Sequence, residues 1–553
     1  MKELLCDVLF DALSSVGCPV EKNQVTELLE EPQNDDHGDI ALPCFSFAKT
    51  LKQSPTQIAG KIKTAVEKAN NPYIDRTEIV GGYLNFFLNK AATAGQVIKQ
   101  LNAKGEWGAG QLSGKTVLLE HTSINPNASP HIGRTRNAFI GDAVSRLFKF
   151  LGASVDVHYF VNDIGKQISL LVWAVRDRKD ITFDGLLDEY IKANEALKAD
   201  PKIEKTVFSQ LEKLEKGDAA VQAAFKRIVD ICLIGQTALF DEIGIKFNHF
   251  DFESPYVVNG TTDKILELCK KSGKMFQDEN GRYVMNLEGY EVEQTMFPLT
   301  RGDKTSLYPL RDVCYSIEKA QKKTDMNIIV LGQDQKLYLK QLNAVLDILG
   351  YKGARGVHYS YVMLAEGKMS TRAGNVVLLE EVMKRSVEKV SGFLMERHGK
   401  VDTAAAKKIG YGAMKYAILK CSANKDVIFD WNAVLNMQGD SSLYLQYNYT
   451  RIVSLVKKSK PAKAAINSVI FNDPLTWKIL KKVYFFRTLL TQVTETFEVA
   501  DIANYLYSLA QLFSKWYAET KIADTDNIWV AEKVGQVIKN GLSILGIDVL
   551  DVM

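Results

Sequence analysis

The stretch EHTSINPNASPHIGR, residues 120–134, carries the strongest indication of how this chain folds. A short apolar segment at 116–119 precedes it and predicts a strand. A helical pattern follows, with Phe139, Val144 and Leu147 on one face and an end at Gly152. A second strand pattern covers 154–161. Strand, loop, helix and strand in this order predict half of a nucleotide-binding α/β unit.

The same stretch predicts a phosphate site. It places His131 and Gly133 at the start of the helix, where free backbone N–H groups and the helix dipole attract anions. Gly133 lets a nucleotide lie against the backbone. A second glycine-flanked segment, GKMSTRAGN at 367–375, offers Lys368 as a point charge for phosphate. Two such segments on one chain predict chemistry at ATP.

These two segments carry a family resemblance. HIGR at 131–134 resembles the HIGH signature of class I aminoacyl-tRNA synthetases, and KMSTR at 368–372 resembles their KMSKR signature. The surrounding words resemble arginyl-tRNA synthetases along nearly the whole chain; they are EHTSINPN, SLYPLRD, VLGQDQKLY, GKMSTRAGNVV, SLYLQYNYTRI and the terminal LGIDVLDVM. The resemblance implies an α/β fold with a Rossmann-type class I catalytic core, an N-terminal α+β domain and an all-α C-terminal anticodon-binding bundle.

Three domains are predicted from this pattern. Residues 1–112 form the N-terminal domain, which by resemblance contacts tRNA; a small folding domain without a ligand is the alternative. Residues 113–430 form the catalytic domain, with a helical insertion at about 166–250 in which the segments 203–214 and 219–240 are predicted helices. Residues 431–553 form the helical bundle, in which the segments 443–456, 475–498 and 502–517 are predicted helices.

Single elements are predicted as well. The segment 79–89 has a strand pattern. A hairpin is predicted around the turn signal DENG at 278–281. The segment 327–331 predicts a buried parallel strand, and 357–364 predicts one strand leading into the KMSTR segment.

Composition indicates a globular protein of a reducing compartment. The 553 residues are 46% hydrophobic and 24% charged, and no apolar run approaches the length of about 18 residues that a membrane span needs. Seven scattered cysteines without CxxC spacing argue against a disulfide framework and a thiolate zinc site, and no metal ligands are predicted. A net charge of +3 implies that any nucleic-acid contact rests on local patches.

The resemblance assigns the ATP side of the site. ATP contacts fall on His131, Gly133, Lys368 and Met369, and catalytic positions on His131, Gly133, Arg134, Lys368, Ser370 and Arg372. Arg134 stands where the signature has its second histidine, and Thr371 where it has its second lysine. The loss at 371 is the more serious departure, because that lysine stabilises the pyrophosphate in most class I enzymes.

The amino-acid side needs acidic groups that face a guanidinium. Asp312 can accept a bidentate pair of N–H bonds, and Tyr308, four residues earlier, lies on the same side of a helical turn. By resemblance these two recognise the guanidinium, Glu120 and Asn125 contact the α-amino and carboxylate ends, and Gln333 adds a substrate contact. The alternative for Asp312 is a helix N-terminal charge or an ion pair near Arg311.

The segment 442–460 interleaves aromatic and basic residues and matches the start of the family's anticodon-binding domain. The candidate tRNA contacts are Tyr444, Tyr447, Lys457, Lys458 and Lys460. Rings stack on bases and lysines meet phosphates. An aromatic stripe at helical spacing is also typical of a core, which is the alternative for Tyr447.

The resemblance therefore implies a cytoplasmic, monomeric arginyl-tRNA synthetase. It would use L-arginine and ATP with Mg²⁺, charge the terminal adenosine of tRNA(Arg), and require bound tRNA for activation. Two alternatives remain at this point. One is a class I enzyme for another amino acid, which Asp312 and Tyr308 disfavour; the other is a non-catalytic tRNA-binding paralogue, suggested by Arg134 and Thr371.

Overall fold

The N-terminal region is a small sheet covered by helices. The computed structural model describes residues 1–32, 34–103, 109–364, 367–368, 376–434, 439–459 and 466–552. The first elements are α1 (Cys6–Ser15), α2 (Val25–Leu28), β1 (Ile40–Pro43), α3 (Ala48–Leu51), α4 (Pro55–Ala69), β2 (Ile74–Val80), β3 (Tyr83–Leu88) and α5 (Lys90–Leu101). The three strands form an antiparallel sheet in the order β1-β3-β2.

The single strand predicted at 79–89 is wrong, because the chain reverses inside it. β2 ends at Val80 and β3 begins at Tyr83, and the two pair antiparallel. Gly81 and Gly82 have φ angles of 59° and 94°. Two successive positive φ angles are what a tight hairpin turn with primed geometry requires, and glycine adopts them without steric cost.

A five-stranded parallel sheet forms the centre of the molecule. Its strands are β4 (Thr116–Glu120), β5 (Ser154–Val161), β6 (His249–Phe252), β10 (Met326–Gly332) and β11 (Arg355–Tyr359), in the spatial order β11-β10-β4-β5-β6. The helix predicted after HIGR is α6 (Ile132–Phe150), and it is followed by Gly152 with a φ of 96°. The strand order reverses between β4 and β10, so ligands are expected at the carboxyl ends of these two strands.

The connection from β5 to β6 consists of helices. These are α7 (Lys166–Ala174), α8 (Phe183–Ala199), α9 (Lys202–Glu215) and α10 (Ala219–Glu242). The helices predicted at 203–214 and 219–240 are confirmed as α9 and α10. The sheet resumes at His249, a strand that the charged pattern of this region conceals.

Two small sheets accompany the central sheet. One lies in the connection from β6 to β10, and the other begins after β11. The connection from β6 to β10 holds α11 (Ser254–Val258), α12 (Thr261–Lys271), β7 (Met275–Gln277), β8 (Tyr283–Asn286), β9 (Met296–Pro298) and α13 (Tyr308–Gln321). β7 and β8 confirm the predicted hairpin, and β9 adds a third antiparallel strand. After β10 come α14 (Lys336–Ile348), then, beyond β11, β12 (Val362–Leu364) and β13 (Gly367–Lys368).

The one strand predicted at 357–364 is therefore two strands in different sheets. β11 ends at Tyr359, and β12 pairs with β13 and with β14 (Val427–Ile428). The fully buried Arg136 of α6 donates to the Ser360 carbonyl at 2.8 Å and, at the same distance, to the carbonyls of Ser422 and Lys425. These bonds hold the chain where it leaves the central sheet, and the alternating pattern of the segment contains no sign of them.

The last third of the described chain is almost entirely helical. Its helices are α15 (Leu379–His398), α16 (Thr403–Leu419), α17 (Trp431–Val434), α18 (Ser442–Lys458), α19 (Pro474–Thr496), α20 (Ala500–Glu519) and α21 (Asn527–Ile544). α18, α19 and α20 confirm the three predicted helices. Within the described ranges, no helix combines the length and apolar character that crossing a membrane requires.

The bundle also packs against the N-terminal region. Asp39 is buried and accepts from the Trp477 indole at 2.7 Å and from the Lys481 ammonium at 3.0 Å, both on α19. The Trp529 indole of α21 donates to Asn102 at 2.8 Å. A buried charge with these partners fixes how the two ends of the chain meet.

Candidate active site

The N-terminus of α6 lies at the carboxyl end of β4, between the central strands. His131 is the N-cap residue of α6, with extended backbone angles, and its Nδ1 accepts from the backbone N–H of Arg134 at 3.3 Å. Gly133 lies in the first turn and is half-buried. Ile132 N–H is used by Val377 and Arg134 N–H by His131, so among the described first-turn groups the N–H of Gly133 remains available to an anion.

The ring of His131 is neutral at physiological pH. Burial, with a smaller contribution from the Arg134 charge, lowers its pKa to about 4. Because Nδ1 accepts a hydrogen bond, the proton of the neutral ring is on Nε2, which remains a donor for an incoming phosphate oxygen. Arg134 itself is exposed, and no ion pair joins it to any described residue.

Backbone hydrogen bonds join the HIGR loop to residues 377–379. Ile132 N–H donates to the Val377 carbonyl at 2.9 Å, and Leu379 N–H donates to the Pro130 carbonyl at 2.8 Å. The segment that follows the KMSTR motif is therefore attached directly to the HIGR loop. Lys368 lies in β13 and pairs with Met363 through the backbone. The predicted site residues Met369, Ser370 and Arg372, and Thr371 with them, lie outside the described residues.

One face of α13 carries the amino-acid side of the site. Tyr308, Asp312, Tyr315 and Lys319 follow one another at spacings of four, three and four residues, which is the repeat of a single helical face. Tyr308 begins the helix with 54% of its surface exposed, and its ring lies 5.4 Å from the ring of Tyr338 on α14. The face therefore runs from the open end of the site into the core.

Asp312 is a carboxylate without a cation. The Tyr338 hydroxyl donates to its Oδ2 at 2.5 Å, and no described residue forms an ion pair with it. Burial raises the pKa of Asp312 to about 6, a rise to which the Glu120 charge adds and which the Tyr338 hydrogen bond opposes. A carboxylate of this kind gains stability from any cation that enters the site.

The alternative role for Asp312, an ion pair near Arg311, is not found among the described residues. Its neighbour Arg311 points elsewhere: Nε donates to Glu253, and Nη1 donates to the Ser306 carbonyl at 3.0 Å. Burial raises the pKa of Glu253 although the Arg311 charge lowers it. Glu253 therefore satisfies the arginine and leaves Asp312 available.

Glu120 already has a cationic partner within the protein. It lies at the last position of β4, is 5% exposed, and accepts from the Lys319 ammonium of α13. Lys319 also lies 4.3 Å from the centre of the Tyr315 ring. The lysine compensates the buried charge of Glu120 and holds it in one position.

The remaining predicted substrate residues occupy both sides of the strand-order reversal. Asn125 lies in the loop after β4 and donates from Nδ2 to Gln167 at 3.0 Å. Gln333 follows β10, is exposed, and accepts from the Ser360 hydroxyl. Glu120, Asn125 and Gln333 thus meet at the carboxyl ends of β4 and β10.

Sequence reasoning missed the residues that hold these groups in place. Tyr338, Lys319, Glu253 and Gln167 each bond to a candidate site residue or its neighbour. Two of them had a detectable signal: Lys319 lies seven residues, two helical turns, after Asp312, and Tyr338 is the last residue of the VLGQDQKLY word. The others lie on separate elements, and their contacts arise only when the chain folds.

The candidate tRNA surface lies on α18. The Tyr444 hydroxyl bonds to Ser514 of α20 at 2.9 Å, and this half-buried ring packs against Tyr507. Tyr447 is also half-buried, and the guanidinium groups of Arg451 and Arg397 lie 4.8 and 5.5 Å from its ring centre. Tyr444 is therefore held within the bundle, whereas Tyr447 stands among cations.

The lysines at the end of α18 differ in their partners. Lys457 pairs with Asp551 at 3.2 Å, and both groups are exposed. Lys458 is exposed in the last turn of the helix. Lys460 lies outside the described residues.

Family models match the chain in three consecutive segments. A model described as tRNA synthetases class I (R), catalytic domain, matches residues 96–431, which is more than half of the chain. The DALR anticodon binding domain matches residues 445–553. The arginyl tRNA synthetase N terminal domain matches residues 3–88.

Individual relatives agree with these models. An arginine–tRNA ligase of Methanocaldococcus jannaschii is 31% identical over 99% of each chain, and one of Methanococcoides burtonii is 30% identical over 98% of this chain and 97% of its own. In fold, the chain resembles the arginyl-tRNA synthetase structures of Thermus thermophilus (TM-score 0.84, 22% identity, all of both chains) and Plasmodium falciparum (TM-score 0.82, 17% identity, 100% and 99% of the chains). The predicted fold class and family are both confirmed: this chain belongs to the arginyl-tRNA synthetases of class I.

Proposed function

We propose that this chain is an arginine–tRNA ligase. It forms arginyl-adenylate from L-arginine and ATP and transfers the arginyl group to the 3′-terminal adenosine of tRNA(Arg). The activity is proposed from the family to which the chain belongs and from the chemistry of its candidate site. Arginine requires a buried anion at one end of its pocket and a polar clamp at the other.

The observation that carries this proposal is the unpaired carboxylate of Asp312. It has a tyrosine donor, Tyr338, and a second tyrosine, Tyr308, beside it, but no described cation forms an ion pair with it, and the charges of Lys319 and Arg311 act on it only from beyond contact distance. A guanidinium supplies the missing charge and can bind both carboxylate oxygens through parallel N–H groups. The exposed ring of Tyr308 at the open end adds a face for the same cation.

Glu120 and the residues around it bind the α-amino end of the substrate. The ammonium of arginine becomes a second partner of Glu120 beside Lys319, and Asn125 contacts the polar end of the substrate. Holding the guanidinium at Asp312 and the ammonium at Glu120 fixes the direction of the arginine carboxylate. Such positioning is a major source of rate when two substrates must meet.

The ATP side supplies donors for phosphate. The arginine carboxylate attacks the α-phosphate, the bond to pyrophosphate breaks, and negative charge builds on the phosphate oxygens. His131 Nε2–H and the first turn of α6, including Gly133, stabilise this charge, and Lys368, Met369, Ser370 and Arg372 contribute from the second segment. Arg134 offers a guanidinium to phosphate in place of the usual histidine. Mg²⁺ enters with ATP, held mainly by the phosphate oxygens, as is usual for this ion.

The domain division accompanies this proposal. Residues 113–430 hold the two substrates, with a helical insertion at about 166–250, and residues 1–112 and 431–553 contact the tRNA away from its acceptor end. We place the protein in the cytoplasm as a monomer. All seven cysteines are free thiols, in keeping with a reducing compartment.

ATP–pyrophosphate exchange with each amino acid, with and without total tRNA, tests the proposal. Exchange with arginine alone among the amino acids, requiring tRNA, and formation of arginyl-tRNA are expected. Exchange with another amino acid would reassign the substrate. No exchange and no charging under any condition, with tRNA binding intact, would instead favour the non-catalytic paralogue.

A further inference from the structure

A cluster of two histidines and one aspartate lies on the strands next to Glu120, and none of its three members is assigned to either substrate. Asp156 and His158 are two positions apart on β5 and therefore point to the same face of the sheet, and His158 pairs in register with His249 at the start of β6. One donor atom from each of the three lies within 4.8 Å of the other two. Asp156 is central: its oxygens lie 3.1 Å from His158 Nε2 and 2.9 Å from His249 Nε2.

The ring of His158 is held by a second carboxylate. Its Nδ1 lies 2.5 Å from Asp251 Oδ2, an oxygen that also accepts from the Tyr315 hydroxyl at 2.6 Å. Asp251 therefore fixes the orientation of the ring, with Nε2 directed at Asp156. Histidines that bind metals are commonly oriented by a carboxylate in this way.

A cation already occupies the point where these acceptors converge. The ammonium of Lys322, just past the end of α13, lies 3.2 Å from His158 Nε2 and 4.0 Å from Asp156 Oδ2. Lys322 is a long side chain with about a third of its surface exposed, so its charged end can move into solvent while its stem stays packed.

We propose that Asp156, His158 and His249 bind one divalent transition-metal ion of the zinc type, which displaces the Lys322 ammonium. Two imidazole nitrogens and one carboxylate oxygen are ligands that zinc prefers, and a water molecule completes four-coordination. His158 is 1% exposed and anchors the ion, whereas half of the His249 side chain is open to solvent and gives the ion a way in. The two nearby carboxylates, Asp156 and Asp251, outweigh the single charge of Lys322.

The cluster borders the proposed arginine pocket. His158 is the register partner of Glu120 on β4, and Asp251 reaches α13 through Tyr315. The ion would therefore lie beside Glu120, next to the elements proposed to position the substrate.

Calorimetric titration of the full-length protein with Zn²⁺ tests the proposal. One ion per chain is expected. His249→Gln should weaken binding at least tenfold, and Asp251→Asn, which frees the ring of His158, about 10–100-fold. Lys322→Met should tighten binding, because it removes the competing charge. His37→Gln, which changes a histidine remote from the cluster, is the matched control and should bind as the wild type does.

The opposite results would overturn the proposal. One such result is that the wild type binds no stoichiometric zinc ion. The other is that His249→Gln and Lys322→Met both bind zinc with unchanged affinity, while their melting temperatures show that each variant is folded. The Co²⁺ form should have the visible spectrum of nitrogen and oxygen ligands in a four-coordinate site. A thiolate charge-transfer band would assign the ion to a cysteine and would also reject this site.

Discussion

The proposed arginine pocket and the surface of α18 use charge in opposite ways. In the proposed pocket, Glu120 and Asp312 are carboxylates with few, fixed partners: a lysine for one and a tyrosine hydroxyl for the other. On α18, half-buried Arg451 lies beside the partly open ring of Tyr447, and exposed Lys458 lies about three turns further along the helix. Removing a charge in the proposed pocket is costly because no other group replaces the lost partner. On the surface of α18, water and salt compensate for a lost charge.

The largest effect is expected at the bottom of the pocket. Asp312→Asn keeps the shape of the side chain but removes the charge that faces the guanidinium. Removing one partner of a buried pair costs about 3–5 kcal/mol, so the KM for arginine should rise more than a hundredfold while the KM for ATP changes little. Asp263→Asn, an exposed carboxylate on α12, is the control. Near wild-type kcat/KM for arginine in Asp312→Asn would remove Asp312 from the pocket.

The second effect concerns the proposed phosphate side. His131→Asn retains a residue that caps helices well but loses the Nε2 donor. Loss of one preorganised transition-state donor costs about 2.7–4 kcal/mol, so ATP–pyrophosphate exchange should slow about 100–1000-fold with an unchanged melting temperature. Lys368→Ala should behave similarly. Normal exchange in both variants would contradict the roles given to these residues.

A smaller effect is expected on α18, and it should appear in tRNA choice. Tyr447→Ala should lose about 1–3 kcal/mol of binding, the value of one ring stacked on a base, and should discriminate less between cognate and non-cognate tRNA. Tyr444→Phe, which loses only hydroxyl bonds to Ser514 and Ala510 within the bundle, should bind tRNA normally. Equal tRNA affinity of Tyr447→Ala and Tyr444→Phe in filter binding would mean that Tyr447 is a core residue.

Arginine binding should depend on pH because of the pocket carboxylate Asp312. Burial raises the pKa of Asp312 to about 6, so the free site is protonated below that pH and the guanidinium binds the ionised form. The KM for arginine should therefore rise about tenfold, or about 1.4 kcal/mol, for each pH unit below 6 and level off above it. The folding stability of the substrate-free protein depends on pH in the opposite sense. The folded state holds the Asp312 proton more tightly than the unfolded chain does, so the free energy of unfolding falls as pH rises from about 4 to 6. Asp312→Asn should show neither trend, and a wild-type KM independent of pH between 5 and 7 would contradict the assignment.

The smallest effect is expected from the lysines that follow Tyr447. Lys457→Ala with Lys458→Ala should weaken cognate and non-cognate tRNA alike and reduce the slope of log K against log salt, by about 0.7 for each phosphate that the protein no longer neutralises. Lys457 should contribute less than Lys458, because Asp551 already pairs with it. A reduction confined to cognate tRNA would show that these lysines bind more than phosphate.

The amino-acid sequence alone was sufficient for features that depend on neighbours along the chain. The period of apolar residues predicted α6, α9, α10 and the long bundle helices, since a helix or strand exposes one face whatever it packs against. The four-residue spacing of Tyr308 and Asp312 placed them on one face for the same reason. The local signal failed where it was ambiguous: glycines inside a strand pattern concealed a hairpin at 81–82, and an alternating run concealed two strands at 357–364.

Which charges meet became evident only in the folded molecule. Lys319 reaches Glu120 across 199 residues of chain, and Arg311 is taken by Glu253, which leaves Asp312 unpaired. The same holds for the cluster of Asp156 and His158 with His249, since β6 joins β5 only after four intervening helices. No local pattern encodes such pairs, because they depend on strand order and on the register between strands. Sequence determines the elements and the residues they present, and packing determines which of those residues are left with a charge to satisfy.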